Sequence, residues 1–209
     1  MSYVKAVLNR LSMYAEIEEF LEERLADAGF AGIEIDKLLT GPRINIYALK
    51  PGLIIGRKGT GIRDLTEILS KKFKLHNLTV NVIEVTNPEL NPRIVAQRIA
   101  NAVQRGVPFR RAAMAALNSV MQAGALGCEI IISGKIRSER AHFEKFREGI
   151  VPKSGHIREI AVKEAVKHVL LKMGMYGIKV RIAYKDAIPE EFKLKEELKE
   201  VKEGASSKG

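Results

Sequence analysis

The chain has 209 residues, of which 46% are hydrophobic, and it carries a formal net charge of +10. This length suits one large domain or two of about 100 residues, each with a buried core. No apolar run approaches the roughly 20 residues of a membrane span, the N-terminus lacks a signal-peptide pattern, and the lone Cys128 excludes an internal disulfide or a multi-cysteine zinc site. We therefore expect a cytoplasmic protein in which Cys128 is a buried, unreactive thiol.

The first third of the chain alternates between helix and strand patterns. Apolar residues at helical spacing predict a first helix that Gly29 ends: Met13, Ile17, Phe20, Leu21 and Leu25. Residues 33–36 and 44–48 alternate apolar and polar side chains, which predicts two strands joined as a hairpin by the turn at 40–42. A glycine-rich turn, an amphipathic helix over residues 62–73 and a third strand around residues 78–82 follow.

The glycine-rich turn, Gly56-Arg57-Lys58-Gly59, is the motif that says most about function. Its glycines allow a sharp turn and a close approach to a ligand, and the helix that follows directs free N–H groups and the positive end of its dipole at the turn. Arg57 and Lys58 add positive charge. These features predict a clamp for a nucleic-acid backbone of the kind that KH domains use, and the order of the elements fits the type II arrangement. A plain loop-to-helix turn is the alternative, and the spacing excludes a Walker motif.

A second set of elements begins at the proline-rich seam over residues 87–92. Asn91 and Pro92 predict the N-cap and first residue of a helix that Gly106 closes. An alanine-rich helix is predicted from Pro108 toward Met121, and strands are predicted at 128–132 and 178–182. Residues 133–155 are polar and basic and give no clear element.

One segment, Arg158–Met173, fits two structures. Its apolar residues lie at helical spacing, but several of them also fit a two-residue period, so the pattern alone leaves helix and strand open.

The excess positive charge lies in one part of the chain. Residues 1–90 hold 12 Lys and Arg and 12 Asp and Glu, whereas residues 91–185 hold 18 Lys and Arg and only 6 Asp and Glu. Residues 186–209 are mildly acidic. This distribution predicts a polyanionic partner for the second part. A solvated lysine-rich surface, as on many thermophile proteins, is the alternative.

Two basic segments within the second part are candidates for RNA contact. Arg110 and Arg111 are predicted in the first turn of a helix, where cations oppose the dipole, which suggests that function placed them there. A solvated helix face is the alternative. The second segment, from Ser133 to Lys153, forms a basic lobe suited to phosphate contacts in structured RNA.

No pattern in the sequence indicates an enzyme. The four histidines lack metal-ligand spacing, no carboxylates are paired at a catalytic spacing, and no serine lies in a nucleophile elbow. We therefore predict no enzymatic activity, no cofactor and no metal.

Several separated motifs, in order, resemble the S3 family of small-subunit ribosomal proteins in its archaeal form. They lie at residues 52–61, 104–111, 127–134, 147–149 and 177–180. The resemblance implies an α/β (α+β) fold: an N-terminal type II KH domain, then an α/β domain of two helices packed on a small, mostly antiparallel sheet. It further implies extended structure over Arg158–Lys167, paired with the final strand and followed by a short helical turn.

The resemblance also implies a role and partners. The protein would be a structural constituent of the small-subunit head that binds ribosomal RNA and helps form the channel by which mRNA enters. In this family, basic residues at the start of the second C-terminal-domain helix line that channel, and Arg110 and Arg111 match them. Met114 stands where many bacterial members carry a third cation, so any unwinding of mRNA would be weaker or differently distributed. The candidate ribosomal-RNA contacts are Arg105, Lys135, Arg137, Arg140, Lys145, Arg147 and Lys153.

We expect neighbouring head proteins, numbered ten and fourteen, as protein partners, with no membrane contact and no homo-oligomer. A free-standing KH-domain RNA chaperone or ribosome-assembly factor is the first alternative, and an enzyme such as a nuclease or a DNA-repair lyase is the second.

The predicted organisation has five parts. Residues 1–15 lead into the first helix, 16–86 form the KH domain, 87–92 form a linker, 93–185 form the basic α/β domain, and 186–209 form a charged, flexible tail.

Overall fold

The computed structural model describes residues 3–38, 41–75, 77–136 and 138–185 of the chain. The expected tail over residues 186–209 lies outside the described residues. Two β-sheets, each covered by helices on one face, form the N-terminal and C-terminal halves of the described protein, which confirms the expected mixed α/β fold.

The N-terminal half is a three-stranded sheet with helices on one face. Its elements are α1 (Tyr3–Arg24), β1 (Phe30–Leu38), β2 (Gly41–Ala48), α2 (Pro51–Ile55), α3 (Thr60–Phe73) and β3 (Thr79–Glu84). The central strand, β2, pairs antiparallel with β1 and parallel with β3. The predicted order is confirmed, with α2 as an addition. Because α1 starts at Tyr3, most of the segment expected only to lead into the first helix is itself helical.

The core of this half lies between its helices and the sheet. Ile17 and Leu21 of α1, Leu69 of α3, and Ile44 and Ile46 of β2 are fully buried in one cluster. Their spacing explains the contact, because residues four apart share a helix face and residues two apart share a strand face. Each such side chain contributes about 1.5–3 kcal/mol on burial. The cluster therefore fixes α3, and with it the turn that precedes α3, against the sheet.

The C-terminal half is a four-stranded antiparallel sheet with two long helices on one face. Its elements are α4 (Pro92–Gln104), α5 (Phe109–Gln122), β4 (Gly127–Gly134), β5 (His142–Gly149), α6 (His156–Ala161), β6 (Val162–Leu171) and β7 (Gly174–Ala183). The strands lie in the order β5-β4-β7-β6. The core contains Ile99 of α4, Leu117 of α5, Ile130 of β4 and Ile178 of β7. This half confirms the expected pair of helices on a small antiparallel sheet.

The expectation for the ambiguous segment was wrong in its order. A short helix, α6, precedes the strand β6, whereas a strand followed by a helical turn was expected. Gly155 begins α6 with a φ of 77°, and β6 then pairs along its whole length with β7, from Val162 opposite Ala183 to Leu171 opposite Gly174. β7 begins only two residues after β6 ends, and pairing in this hairpin overrides the helical spacing of the apolar residues in β6.

A second element was missed. The stretch read as polar and irregular contains the strand β5, which pairs with β4 from His142 opposite Gly134 to Gly149 opposite Gly127. β5 lies at the edge of the sheet and is rich in charged residues, which is how edge strands avoid pairing with other chains. Because β5 is rich in charged residues, its sequence does not show the alternation of apolar and polar residues by which strands are predicted.

Ion pairs and hydrogen bonds join the two halves. Asn91 caps α4 as predicted, its side chain accepting a 3.0 Å hydrogen bond from the backbone N–H of Arg93. The guanidinium of Arg93 pairs with Glu18 of α1. Lys167 of β6 pairs with Glu22 of α1 at 2.8 Å. These contacts hold α1 against the C-terminal half.

Gly61 is a site where a single methyl group should destabilise the protein. A Cβ at Gly61, in α3, would lie 2.4 Å from the carbonyl oxygen of Ile54 in α2. We expect Gly61→Ala to lower the free energy of unfolding by about 1–3 kcal/mol, because overlap with fixed backbone outweighs the gain in helix propensity. Urea denaturation of the variant measures this loss.

Gly52→Ala is the matched control, because Gly52 also lies in a helix beside the turn but has no atom within 4 Å of its Cβ position. Its stability should equal or slightly exceed that of the wild-type protein. Equal stabilities for the two variants would show that α2 and α3 separate freely.

Candidate nucleic-acid interface

The glycine-rich turn joins α2 to α3 in a backbone conformation that requires glycine. Gly56 has a φ of 70° and a ψ of −179°, a combination essentially restricted to glycine. Lys58 and Gly59 follow with φ values of 52° and 77°. The hydroxyl of Thr60 donates a 3.0 Å hydrogen bond to the carbonyl oxygen of Arg57, which closes the turn. The turn is therefore a fixed loop between two helices.

The turn presents positive charge and the N-terminus of α3 to solvent. Gly56, Arg57 and Lys58 are exposed, and Gly59 is half-buried. Within the described part of the chain, neither cationic side chain has an ion-pair partner. Gly59 occupies the N-cap position of α3 and has no side chain to cap the first-turn N–H groups. The N–H of Thr60 donates to the carbonyl oxygen of Arg57, and an anionic oxygen can bind at the positive end of the α3 dipole together with either cation.

Exposed apolar residues flank the turn, and sequence reasoning did not single them out. The side chains of Leu53 and Ile55 on α2 are 62% and 37% exposed, while Ile54 between them is buried in the core. This arrangement places apolar surface beside the candidate phosphate-binding turn, which suits bases that lie next to a bound backbone. The sequence did carry a signal for them. Three large apolar residues follow one another at residues 53–55, and on so short a helix they cannot all face the core.

The predicted arginine pair begins α5, but its two members differ. Arg110 is held by Glu144 of β5 through two parallel 2.9 Å hydrogen bonds, from Nε and Nη2 to the two carboxylate oxygens. Arg111 is exposed and, in the described part of the protein, forms no ion pair. Met114, one turn further along α5, is 46% exposed. The position at which many bacterial family members carry a third cation therefore faces solvent in this protein. The helix therefore presents one fixed and one unpaired guanidinium.

Three of the predicted cations lie in or just after β5. Lys145 and Arg147 are on the strand, and Lys153 follows it. The ammonium of Lys145 lies 2.9 Å from Oε2 of Glu129, a carboxylate that is 1% exposed. The guanidinium of Arg181 reaches the other oxygen of Glu129 at 3.1 Å. One buried carboxylate thus anchors two cations on this face of the sheet.

These charges shift the pKa values of Glu129 and Lys153 on this face of the sheet. Burial raises the pKa of the Glu129 carboxyl, but the hydrogen bond and charge of Lys145 and the charge of Arg181 outweigh it, so the pKa lies below its ordinary value of 4.5. The hydrogen bond and positive charge of Lys145 lower the pKa of Lys153. Glu129 therefore stays ionised at neutral pH, and the cations around it outnumber it.

The remaining predicted cations lie apart from this group. Lys135 and Arg140 are exposed in the connection between β4 and β5, where the carbonyl oxygen of Lys135 accepts a 2.7 Å hydrogen bond from Tyr176. Arg105 follows α4 and lines a cleft with Lys50 of the N-terminal half. Arg137, also predicted to contact RNA, lies outside the described residues.

Sequence reasoning missed the two acids that position these cations. Glu129 and Glu144 lie on adjacent strands and hold Lys145 and Arg110 respectively. The alternating acids and bases of β5 could have indicated a charged strand, and hence Glu144. The burial of Glu129 depends on its cross-strand neighbours, which the local sequence does not show.

Other chemistry finds no support among the described residues. They contain no group of three or more potential metal-ligating residues. None of the helices in this part of the chain is both long and apolar enough to cross a membrane. Cys128 is buried as predicted, and burial, with the charges of Glu129 and Glu148, raises the pKa of its thiol to about 12, which keeps it protonated and unreactive.

The fold and the site define a class of protein: a KH-containing protein with a second, basic domain and a surface of arginine and lysine suited to RNA. Comparison with known proteins agrees and is more specific. The sequence model of the KH domain matches residues 16–90, and that of the ribosomal protein S3 C-terminal domain matches residues 99–182.

Curated relatives match over most of the chain. The small ribosomal subunit protein uS3 of Thermofilum pendens is 45% identical, over 91% of this chain and 95% of its own. That of Staphylothermus marinus is 47% identical, over 89% and 82% respectively, and that of Pyrobaculum calidifontis is 50% identical, over 79% and 78%. The chain belongs to the uS3 family of small ribosomal subunit proteins.

Proposed function

We propose that this protein is a structural constituent of the small-subunit head that binds ribosomal RNA and helps form the channel by which mRNA enters. The observation that carries the proposal is the concentration of cations in the C-terminal half, held in fixed positions by Glu129 and Glu144. Family membership supplies the ribosomal setting. Cations in fixed positions bind the phosphates of a folded RNA without reading its base sequence.

The proposed roles differ between the two halves. Residues 16–86 act as the KH domain, whose clamp at residues 56–59 contacts single-stranded RNA. Residues 93–185 supply most of the anchoring to ribosomal RNA. Arg110 and Arg111 face the path of mRNA, and Arg111 makes the stronger contact because no carboxylate in the described part of the chain engages its five N–H donors.

We further propose the setting in which these contacts act. The partners are ribosomal RNA, mRNA and the neighbouring head proteins numbered ten and fourteen. The protein works in the cytoplasm, without a membrane or a second copy of itself. It catalyses no reaction, and its contribution to translation is the placement of RNA.

Sedimentation of the tagged protein in its native cells tests the proposal. We expect it to migrate in near-stoichiometric amounts with small subunits and translating ribosomes through a high-salt sucrose gradient, because many phosphate contacts must be broken to release it. Recovery only near the top of the gradient, or only with immature particles, would contradict the proposal and favour an RNA chaperone or assembly factor.

A further inference from the structure

One aromatic side chain beside Arg110 is exposed to solvent. Phe143 of β5 is 70% exposed. Every other Phe or Tyr whose side chain the structure describes is buried or half-buried. Single exposed apolar side chains are common on proteins and need no explanation alone. The surroundings of Phe143 are what point to a ligand.

The pairing of the strands explains why the ring is uncovered. Phe143 lies opposite Ser133 of β4, and Ser133 lies opposite Gly177 of β7. Successive residues of a strand point to opposite faces, so Phe143 and Lys145 project away from the helices while Glu144 points toward them. The cross-strand neighbours of the ring on its own face are therefore a serine and a glycine, which are too small to cover it.

The ring borders a cleft of about 510 Å³ whose lining is mainly charged or polar. The lining residues are Arg110, Ile136, His142, Phe143, Glu144 and Lys145. This volume lies in the range of small-ligand sites, about 300–1,000 Å³. Only Ile136 and Phe143 are apolar, which is too little for the hydrophobic centre of a protein interface.

The cations of the cleft are held in place yet keep free donors. Arg110 uses Nε and Nη2 for Glu144, which leaves Nη1 available, and its side chain is 57% exposed. Lys145 is anchored by Glu129 of the neighbouring strand β4 and keeps further N–H donors. A ring and two anchored cations that line one cleft match the needs of a nucleotide, which offers a flat base and a phosphate on each side.

We propose that this cleft holds one unstacked base of a single-stranded RNA, stacked on Phe143, with its flanking phosphates bound by Arg110 and Lys145. This inference rests on the proposed function, in which the C-terminal half contacts RNA, and it specifies how one nucleotide would be bound there. Stacking accepts any of the four bases, so the site adds affinity for unpaired RNA without reading its sequence.

Binding of the full chain to a fluorescent single-stranded RNA of mixed sequence tests the proposal. We expect Phe143→Ala to raise the Kd measured by fluorescence anisotropy about 5- to 150-fold, the range for loss of one base stack. Phe143→Tyr should keep the wild-type Kd, because its ring also stacks. Leu170→Ala is the matched control, since Leu170 is 73% exposed on β6 and lies outside the cleft. Its Kd should not change.

A cross-linking readout separates stacking from a general loss of affinity. RNA that carries 5-iodouridine, irradiated in the complex, should attach to the peptide containing Phe143. An unchanged Kd for Phe143→Ala, alongside salt-dependent wild-type binding, would overturn the stacking site and leave the proposed function intact. Absence of any wild-type binding to RNA would overturn both. Normal RNA affinity with loss of Phe143→Ala from small subunits would show that a protein neighbour covers the ring.

Discussion

Replacement of Glu129 by Gln is expected to lower the free energy of unfolding by about 3 kcal/mol at neutral pH, because it removes the counter-ion of Lys145 and one of the two carboxylates that hold Arg181. The carboxylate is 1% exposed and contacts Lys145 at 2.9 Å and Arg181 at 3.1 Å. Glutamine keeps the shape but not the charge. Urea denaturation followed by circular dichroism measures the difference.

Glu164→Gln is the control, because Glu164 pairs with the same Arg181, at 3.0 Å, but its side chain is 42% exposed. An exposed ion pair contributes about 0–1 kcal/mol, so this variant should remain close to the wild-type protein. Equal losses in the two variants would contradict a special contribution from the buried carboxylate.

The effect of Glu129→Gln should also depend on pH. The pKa of Glu129 is lowered from 4.5 in the folded protein, so its ionised form stabilises the fold above that value. This contribution is lost as pH falls from about 4.5 through the lower folded-state pKa. The difference in unfolding free energy between wild type and variant should therefore narrow as the buffer is acidified below that value. A difference that stays constant would show that the charge is not responsible.

Reversal of both clamp charges, Arg57→Glu with Lys58→Glu, is expected to weaken binding to single-stranded RNA about 100-fold at low salt. Two charge-assisted contacts of about 1.5 kcal/mol each give this magnitude. The slope of log K against log salt should fall by about 1.4, because about 0.7 counter-ions are released per single-strand phosphate contact. The melting temperature should hardly change, because both side chains are exposed and the turn is shaped by its glycines.

The matched control changes the same charges elsewhere in the same half. Lys5→Glu with Arg10→Glu alters one lysine and one arginine, both exposed on α1 and outside the clamp. It should reduce RNA affinity only through the net charge of the protein. An equal loss in both double variants would show that the clamp makes no specific contact, and a large fall in melting temperature for the clamp variant would show that Arg57 and Lys58 are structural.

Local signals in the sequence were enough for the turn, the arginine pair and the cap of α4. The turn at Gly56 and the cap at Asn91 depend on a few neighbouring residues and lie where they were predicted, and α5 starts at Phe109, one residue after the predicted Pro108. The end of the first helix was predicted at Gly29, whereas α1 ends at Arg24. Strands that are stabilised by a paired strand, and not by their own residue pattern, were harder. β6 is a strand because β7 pairs with it, and β5 is stabilised as a strand by β4 despite its charged composition.

The same distinction applies to the candidate site. The composition of the sequence was enough to find the cations. It did not show which of them remain available for RNA, because that depends on acidic residues that the folded sheet places next to them. Glu144 holds Arg110 from 34 residues away, whereas Arg111 has no ion-pair partner among the residues that the structure describes. The exposure of Phe143 depends on the small residues opposite it, which the register alone reveals.

The contacts that join the halves have a consequence for affinity. α1 pairs with both Arg93 and Lys167, and the hydroxyl of Tyr184 donates a 2.5 Å hydrogen bond to the carbonyl oxygen of Leu90. Under the proposed function, the clamp and the basic sheet therefore meet one RNA in a preset geometry. Once either has bound, the other acts at a high effective concentration, so modest contacts combine into strong avidity without any contact being strong alone.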